Sequence, residues 1–181
     1  MLLIDVTTHK IDKIVVYLFI ATQAPLRTMY NYPDKTIDTD NAEFQDAFAL
    51  LQYTHQSVFL TGKAGTGKST FLRYICEQTR KKYVVLAPTG IAAINAGGST
   101  IHSFFKMPFR PLMPDDPDLS VQNNRIYDLL KYNKTQRKLL KEVELIIIDE
   151  ISMVRADMID FIDRVLRVFS GNMRTPFGGK Q

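Results

Sequence analysis

The residues with the plainest chemical purpose run from Gly62 to Ser69: Gly-Lys-Ala-Gly-Thr-Gly-Lys-Ser. Glycines at 62, 65 and 67 let the backbone curl until its N–H groups converge on an anion-sized nest at the start of a helix. Lys68 adds a full positive charge that can reach the β- and γ-phosphates of a nucleotide. Ser69 offers a hydroxyl oxygen of the hard kind that Mg2+ takes as a ligand. The bland alternative is a flexible turn that happens to contain a lysine. Against it, an apolar run precedes the loop and an amphipathic run follows, as phosphate binding requires. The spacing therefore points to ATP with Mg2+, held by Gly62, Ala64, Gly65, Thr66, Gly67, Lys68, Ser69 and Thr70.

A second chemical feature lies about eighty residues on, at the acidic end of Leu145-Ile-Ile-Ile-Asp149-Glu150. A carboxylate at the end of a buried strand can hold the water shell of a metal that faces the phosphates, so Ser69 and Asp149 form the expected metal pair. Glu150 is then placed to polarise an attacking water. An apolar run ending in two acids is weak alone, because it also describes a strand entering a solvated turn. Joined to the phosphate loop, it makes Lys68, Asp149 and Glu150 the expected catalytic set.

Strands and helices must alternate to position these groups. Phe44, Phe48 and Leu51 recur at helical spacing, with Asp40 or Asn41 able to cap the start. Ser57–Thr61 reads as a short buried strand that feeds the loop, and Lys68–Thr79 suits a helix with Leu72 and Ile75 turned inward. Tyr83–Ala87 is a second strand stopped by Pro88, and residues 89–96 suit a helix ended by Gly97 and Gly98. Pro108, Pro111, Pro114 and Pro117 make residues 107–120 an irregular excursion. Asn123 to Val143 is helical and basic, and Leu145–Asp149 is a third strand, apolar enough to be covered on both faces. The last helix is clearest: Met158, Ile162, Val165 and Phe169 form a stripe widened by Ile159 and Leu166. This alternation predicts an α/β fold, a parallel sheet flanked by helices.

Length and composition agree with a single domain. The 181 residues are 45% hydrophobic and 23% charged, with a net charge of +4. That mild basicity suits a polyanionic partner and equally suits a solvated surface. The lone Cys76 excludes an internal disulfide framework, and His9, His55 and His102 share no metal-ligand spacing with it. The longest apolar run outside the core motifs, Ile14–Ala21, is too short to span a membrane. A cytoplasmic protein is expected. Residues 1–38 read as a peripheral extension to a domain over 39–181, with an irregular insertion near 107–122. The first 28 residues are either an extra strand or an upstream read-through ahead of Met29.

Four segments in order carry a resemblance: Phe59–Thr70, Ala87-Pro-Thr-Gly-Ile-Ala-Ala93, Gly98-Ser-Thr-Ile-His-Ser-Phe104 and Asp149-Glu-Ile-Ser-Met153. Together they resemble the PIF-type DNA helicases, superfamily-one motors related to the RecD helicases, over roughly residues 40–181. The resemblance implies a P-loop NTPase (RecA-like) first motor domain that uses ATP and Mg2+ to move 5′-to-3′ on single-stranded DNA and to open duplex junctions, as a monomer. It also implies work in DNA repair, recombination and telomere maintenance. Gln45 matches a glutamine that reads the adenine edge, or is a solvent-facing helix residue. Pro88, Thr89 and Gly90 match one motif that contacts the DNA backbone, and Thr100, His102 and Ser103 match another. On residue type alone, Thr89 equally caps a helix and His102 a turn. Phe104, Phe105 and Phe109 offer stacking faces or belong to the core. Lys131, Lys134, Lys138 and Lys141 form a stripe that follows a phosphate backbone or is simply solvated.

The chain stops at Pro176-Phe-Gly-Gly-Lys-Gln181, where the family's next strand begins. That strand lies between the one feeding the loop and the one ending in the acids. Residues 57–61 and 145–149 are therefore expected to have open edges or substitute partners, so that this chain alone neither unwinds DNA nor hydrolyses ATP well and is marginally stable. A stand-alone nucleotide- or nucleic-acid-binding module is the competing reading. A P-loop kinase is a third, which the two DNA-contact motifs disfavour.

Overall fold

The chain alternates strands and helices as its apolar periodicity requires. A computed structural model describes residues 2–5, 18–19, 41–113, 115–121 and 124–181. Two short strands, β1 (Leu2–Asp5) and β2 (Leu18–Phe19), come first. Helix α1 (Ala42–Tyr53) starts where the Asn41 side chain accepts the Phe44 N–H at 2.9 Å, and it buries Ala47 and Leu51. Strand β3 (Val58–Thr61) then runs into the glycine loop, and α2 (Lys68–Gln78) leaves it. Next come β4 (Tyr83–Ala87), α3 (Gly90–Asn95), β5 (Ser99–Thr100) and α4 (Ile101–Phe105). After the proline-rich excursion follow α5 (Arg125–Leu130), α6 (Lys134–Glu142), β6 (Leu145–Ile148) and α7 (Ala156–Ser170).

Three of the strands make a parallel sheet in the order β6-β4-β5, with Tyr83 opposite Leu145 and Ala87 opposite Thr100. Alternation along these strands divides the core in two, since successive side chains point to opposite faces. Val85, Leu145 and Ile147 pack with Leu51, Phe71 and Ile75 of α1 and α2. Val84, Leu86, Ile146 and Ile148 pack instead with Phe105, Ile126, Leu140 and the buried stripe of α7. That stripe also includes Phe161, which is fully buried.

The basic stretch is two helices, not one. Lys131 adopts a left-handed conformation (φ 44°) that ends α5, and an Asn133–Gln136 capping box starts α6. Each cap satisfies backbone groups that a continuous helix would have bonded internally. The expected four-lysine stripe therefore shortens to Lys134, Lys138 and Lys141, and Lys138 pairs with Glu142 at 3.6 Å.

Strands β3 and β6 are not hydrogen-bonded to each other, and each has a substitute partner in place of an open edge. Strand β1 pairs parallel with β3, Leu2 opposite Val58, while β2 pairs antiparallel with β6, Leu18 opposite Ile147. The rest of the 1–38 extension lies outside the described residues. Gln181 is 2% exposed, and its amide accepts from Lys81 Nζ at 2.6 Å and donates to the carbonyls of Leu50 and Gln56. Burial of this polar group is tolerable because its amide finds partners on both sides.

Candidate nucleotide site and nucleic-acid edge

The glycine loop owes its shape to backbone sign. Gly65 and Gly67 have φ of +82° and +90°, and a Cβ on either would meet nothing within 4 Å. Glycine is needed there for conformation, since L side chains rarely tolerate these angles. Lys68 opens α2, and its ammonium donates to the carbonyls of Gly62 at 2.7 Å and Lys63 at 2.9 Å. The Thr66 hydroxyl also donates to the Lys63 carbonyl, at 2.9 Å. The loop is thus folded around its own lysine.

The acids stand at the end of β6. The Asp149 N–H extends the ladder to the Leu86 carbonyl at 2.9 Å, which fixes its backbone against β4. Its carboxylate accepts the Glu150 N–H at 3.0 Å. Glu150 adopts a left-handed conformation, φ 53° and ψ 44°. For a residue with a Cβ this costs roughly 1–2 kcal/mol, and such outliers concentrate at working sites.

Loop and acids line one cleft of about 250 Å3, bordered by Thr61, Gly62, Lys68 and Ser69 together with Asp149, Glu150 and Ser152. Leu51, Leu60, Phe71, Ile75 and Ile147 line its apolar part. Ser69 and Asp149 both line this cleft and both carry oxygen, the hard ligand type that Mg2+ takes, commonly through one or two protein groups while waters and phosphates supply the rest. Among the described residues no group of three or more His, Cys, Asp or Glu is arranged to hold a metal. Gln45 lies on the exposed side of α1 and is not one of the residues lining the cleft. The single thiol, Cys76 on α2, is pushed up to about 12 by burial and stays protonated at neutral pH.

The other expected set gathers at the neighbouring strand ends. Pairing of Ala87 with Thr100 brings Pro88-Thr89-Gly90 beside Thr100, at the same end of the sheet as Asp149. Thr89 caps α3 by accepting the Ala92 N–H at 3.2 Å, and Thr100 caps α4 by accepting the Ser103 N–H at 3.2 Å. Capping and DNA contact are compatible, because an accepting hydroxyl keeps its own O–H to donate. His102 stacks on Phe109, with ring centroids 4.8 Å apart and planes 5° from parallel. Phe105 belongs to the core, Phe104 is half-buried against it, and Phe109 is exposed. The sequence signals had not singled out Ser152, although it stands in the quoted Asp-Glu-Ile-Ser run.

Such an arrangement belongs to the P-loop nucleotide-binding domains of RecA-like fold, whose ligands sit at the carboxyl ends of parallel strands. Within that class the chain belongs to the PIF1-like helicases, whose family model matches residues 41–181. It is 36% identical over 134 residues to the ATP-dependent DNA helicase PIF1 of Emericella nidulans, covering 70% of this chain and 16% of that protein. Among solved structures, Bacteroides sp Pif1 in complex with ADP-AlF4 superposes with a TM-score of 0.68 at 48% identity, over 78% of this chain and 30% of that one. Bacteroides Pif1 bound to ssDNA superposes with a TM-score of 0.66, again at 48% identity and over the same shares. The chain thus spans less than a third of these relatives' length.

Proposed function

We propose that this chain is the first motor domain of an ATP-dependent DNA helicase, binding Mg2+-ATP in the cleft and single-stranded DNA along the β4–β5 edge. The observation that carries the reading is the meeting of Lys68 and Ser69 with Asp149 and Glu150 across one cleft. In this reading the loop N–H groups and Lys68 bind the β- and γ-phosphates, exchanging the carbonyls of Gly62 and Lys63 for phosphate oxygens. Ala64, Thr66 and Thr70 complete the phosphate grip, and Gln45 turns to the adenine edge. Ser69 and Asp149 hold the metal, which when bound neutralises charge on the phosphate oxygens. Glu150 orients the attacking water and accepts its proton. Pro88, Thr89, Gly90, Thr100, His102 and Ser103 meet the sugar–phosphate backbone without reading sequence.

Residues 39–181 form a partial RecA-like domain that binds nucleotide and single-stranded DNA as a monomer and turns ATP over poorly by itself. Movement 5′-to-3′ and opening of duplex junctions are the work proposed for a complete motor of this family. Titration with a fluorescent ATP analogue tests the nucleotide half. Saturable, Mg2+-dependent binding is expected, lost in Lys68→Ala and kept in Glu150→Gln. Binding equal in wild type and Lys68→Ala would overturn the reading.

A further inference from the structure

Phe109 is the most exposed large apolar side chain of the described residues, at 92%. Leaving a phenylalanine in water forfeits burial that the core could have used. It is not a loose tip, because its segment is pinned on both sides. Met107 and Leu112 are buried at 5% and 3% exposure, and the Leu112 N–H donates to Asp157 on α7 at 3.3 Å. Arg110 next to it is committed to Asp116 and to Asp118, the latter at 2.6 Å. The imidazole of His102 backs the ring at 4.8 Å and nearly parallel. His102 in turn sits in α4, two residues after the Thr100 cap.

We propose that Phe109, backed by His102, is a stacking face for an unpaired nucleobase of the strand whose backbone crosses Thr100 and Ser103. This rests on the single-stranded DNA reading above and adds a contact to the bases, which the hydroxyl set lacks. An aromatic ring accepts any base, since every base presents a π-face, so the site is indifferent to sequence. The ring carries no charge, and Arg110 offsets two of the acids beside it. Binding there adds affinity without releasing counterions from phosphates. The ligand that fits it is a flat heterocycle attached to a polyanion.

Phe109→Ala is suited to the test because so exposed a ring contributes little to folding. Binding of the 181-residue chain to a labelled twelve-residue oligothymidylate and to an abasic strand of equal length is followed by anisotropy at several salt concentrations. Phe109→Ala is expected to weaken oligothymidylate about tenfold, in the range found for base–aromatic stacking. Abasic binding and the salt slope stay as in wild type, and Phe109→Trp restores the affinity. Unchanged oligothymidylate binding in Phe109→Ala would overturn the stacking face while leaving the DNA reading intact. Equal losses on both strands would also overturn it, since Phe109 would then shape the loop and not touch a base. A wild-type chain that binds neither strand would remove the DNA reading, and the stacking face with it.

Discussion

The nucleotide cleft and the β4–β5 edge lie at the same end of one molecule, yet they are built by different means. The cleft works through backbone shape: Gly65 and Gly67 hold angles that only glycine takes readily, and Glu150 is held left-handed. Few residue types satisfy such geometry, so function leaves a narrow signature in the sequence. At the edge, Thr89 and Thr100 cap helices with the same hydroxyls that are available to a phosphate. A capping threonine is common whether or not DNA is present. Where a helix cap and a proposed DNA contact share one hydroxyl, residue type alone does not separate them, and only the family pattern points to the second.

The largest effect should come from the cleft. Lys68→Ala removes a charge-assisted donor set, so nucleotide affinity should fall on the order of 100-fold, or about 3 kcal/mol, by titration with a fluorescent ATP analogue. A loss under fivefold would break the comparison, because the nest alone would then suffice. Next, the edge also contains a backbone constraint. A Cβ at Gly98 would lie 2.0 Å from the Val85 carbonyl oxygen on β4. Gly98→Ala should therefore cost about 2 kcal/mol by urea denaturation, and a neutral result would mean that β5 can slide away from β4.

Thr100 sharpens the comparison further. Thr100→Val removes the cap, costing about 1 kcal/mol. Thr100→Asp keeps a capping oxygen and adds a negative charge, so stability should hold while affinity for an oligothymidylate drops. If both variants bind DNA equally well, the hydroxyl has only its structural use. The smallest effect is at Asp157, which anchors the Phe109 segment. The hydrogen bond from the Arg155 guanidinium chiefly pulls its carboxyl from the ordinary 3.8 to about 2. The stability it contributes is complete above about pH 4 and is lost as pH falls through about 2, an effect below about 1 kcal/mol because the pair is near the surface. Asp157→Asn should flatten that slope in acid denaturation, and an unchanged profile would exclude the pair as its source.

Much of the frame was legible because it rests on local rules. The limits of β4 follow from its apolar run and Pro88, and α7 from its stripe, although the buried Phe161 lies outside that stripe's spacing, between Asp160 and Ile162. Phe71 on α2 is a related case: Leu72 and Ile75 alone make an apolar face, and only the packed α1 shows that Phe71 closes it. The break at Lys131–Asn133 escaped notice because lysine in a left-handed turn has no composition signal. Pairing of β1 and β2 with distant edges, and the buried amide of Gln181, depend on long-range contacts that no window of sequence contains.

The ammonium of Lys68, seated on the carbonyls of Gly62 and Lys63, also bears on how fast the loop can be filled. A loop that collapsed between ligands would have to refold at every arrival, and its association rate would be set by that opening. Here the ammonium is already held on loop carbonyls, so an arriving triphosphate exchanges one set of oxygens for another around a charge that is in place. Preorganisation of this kind lowers the entropy of ordering on arrival. Variants of the cleft should accordingly differ in how long nucleotide stays more than in how quickly it comes.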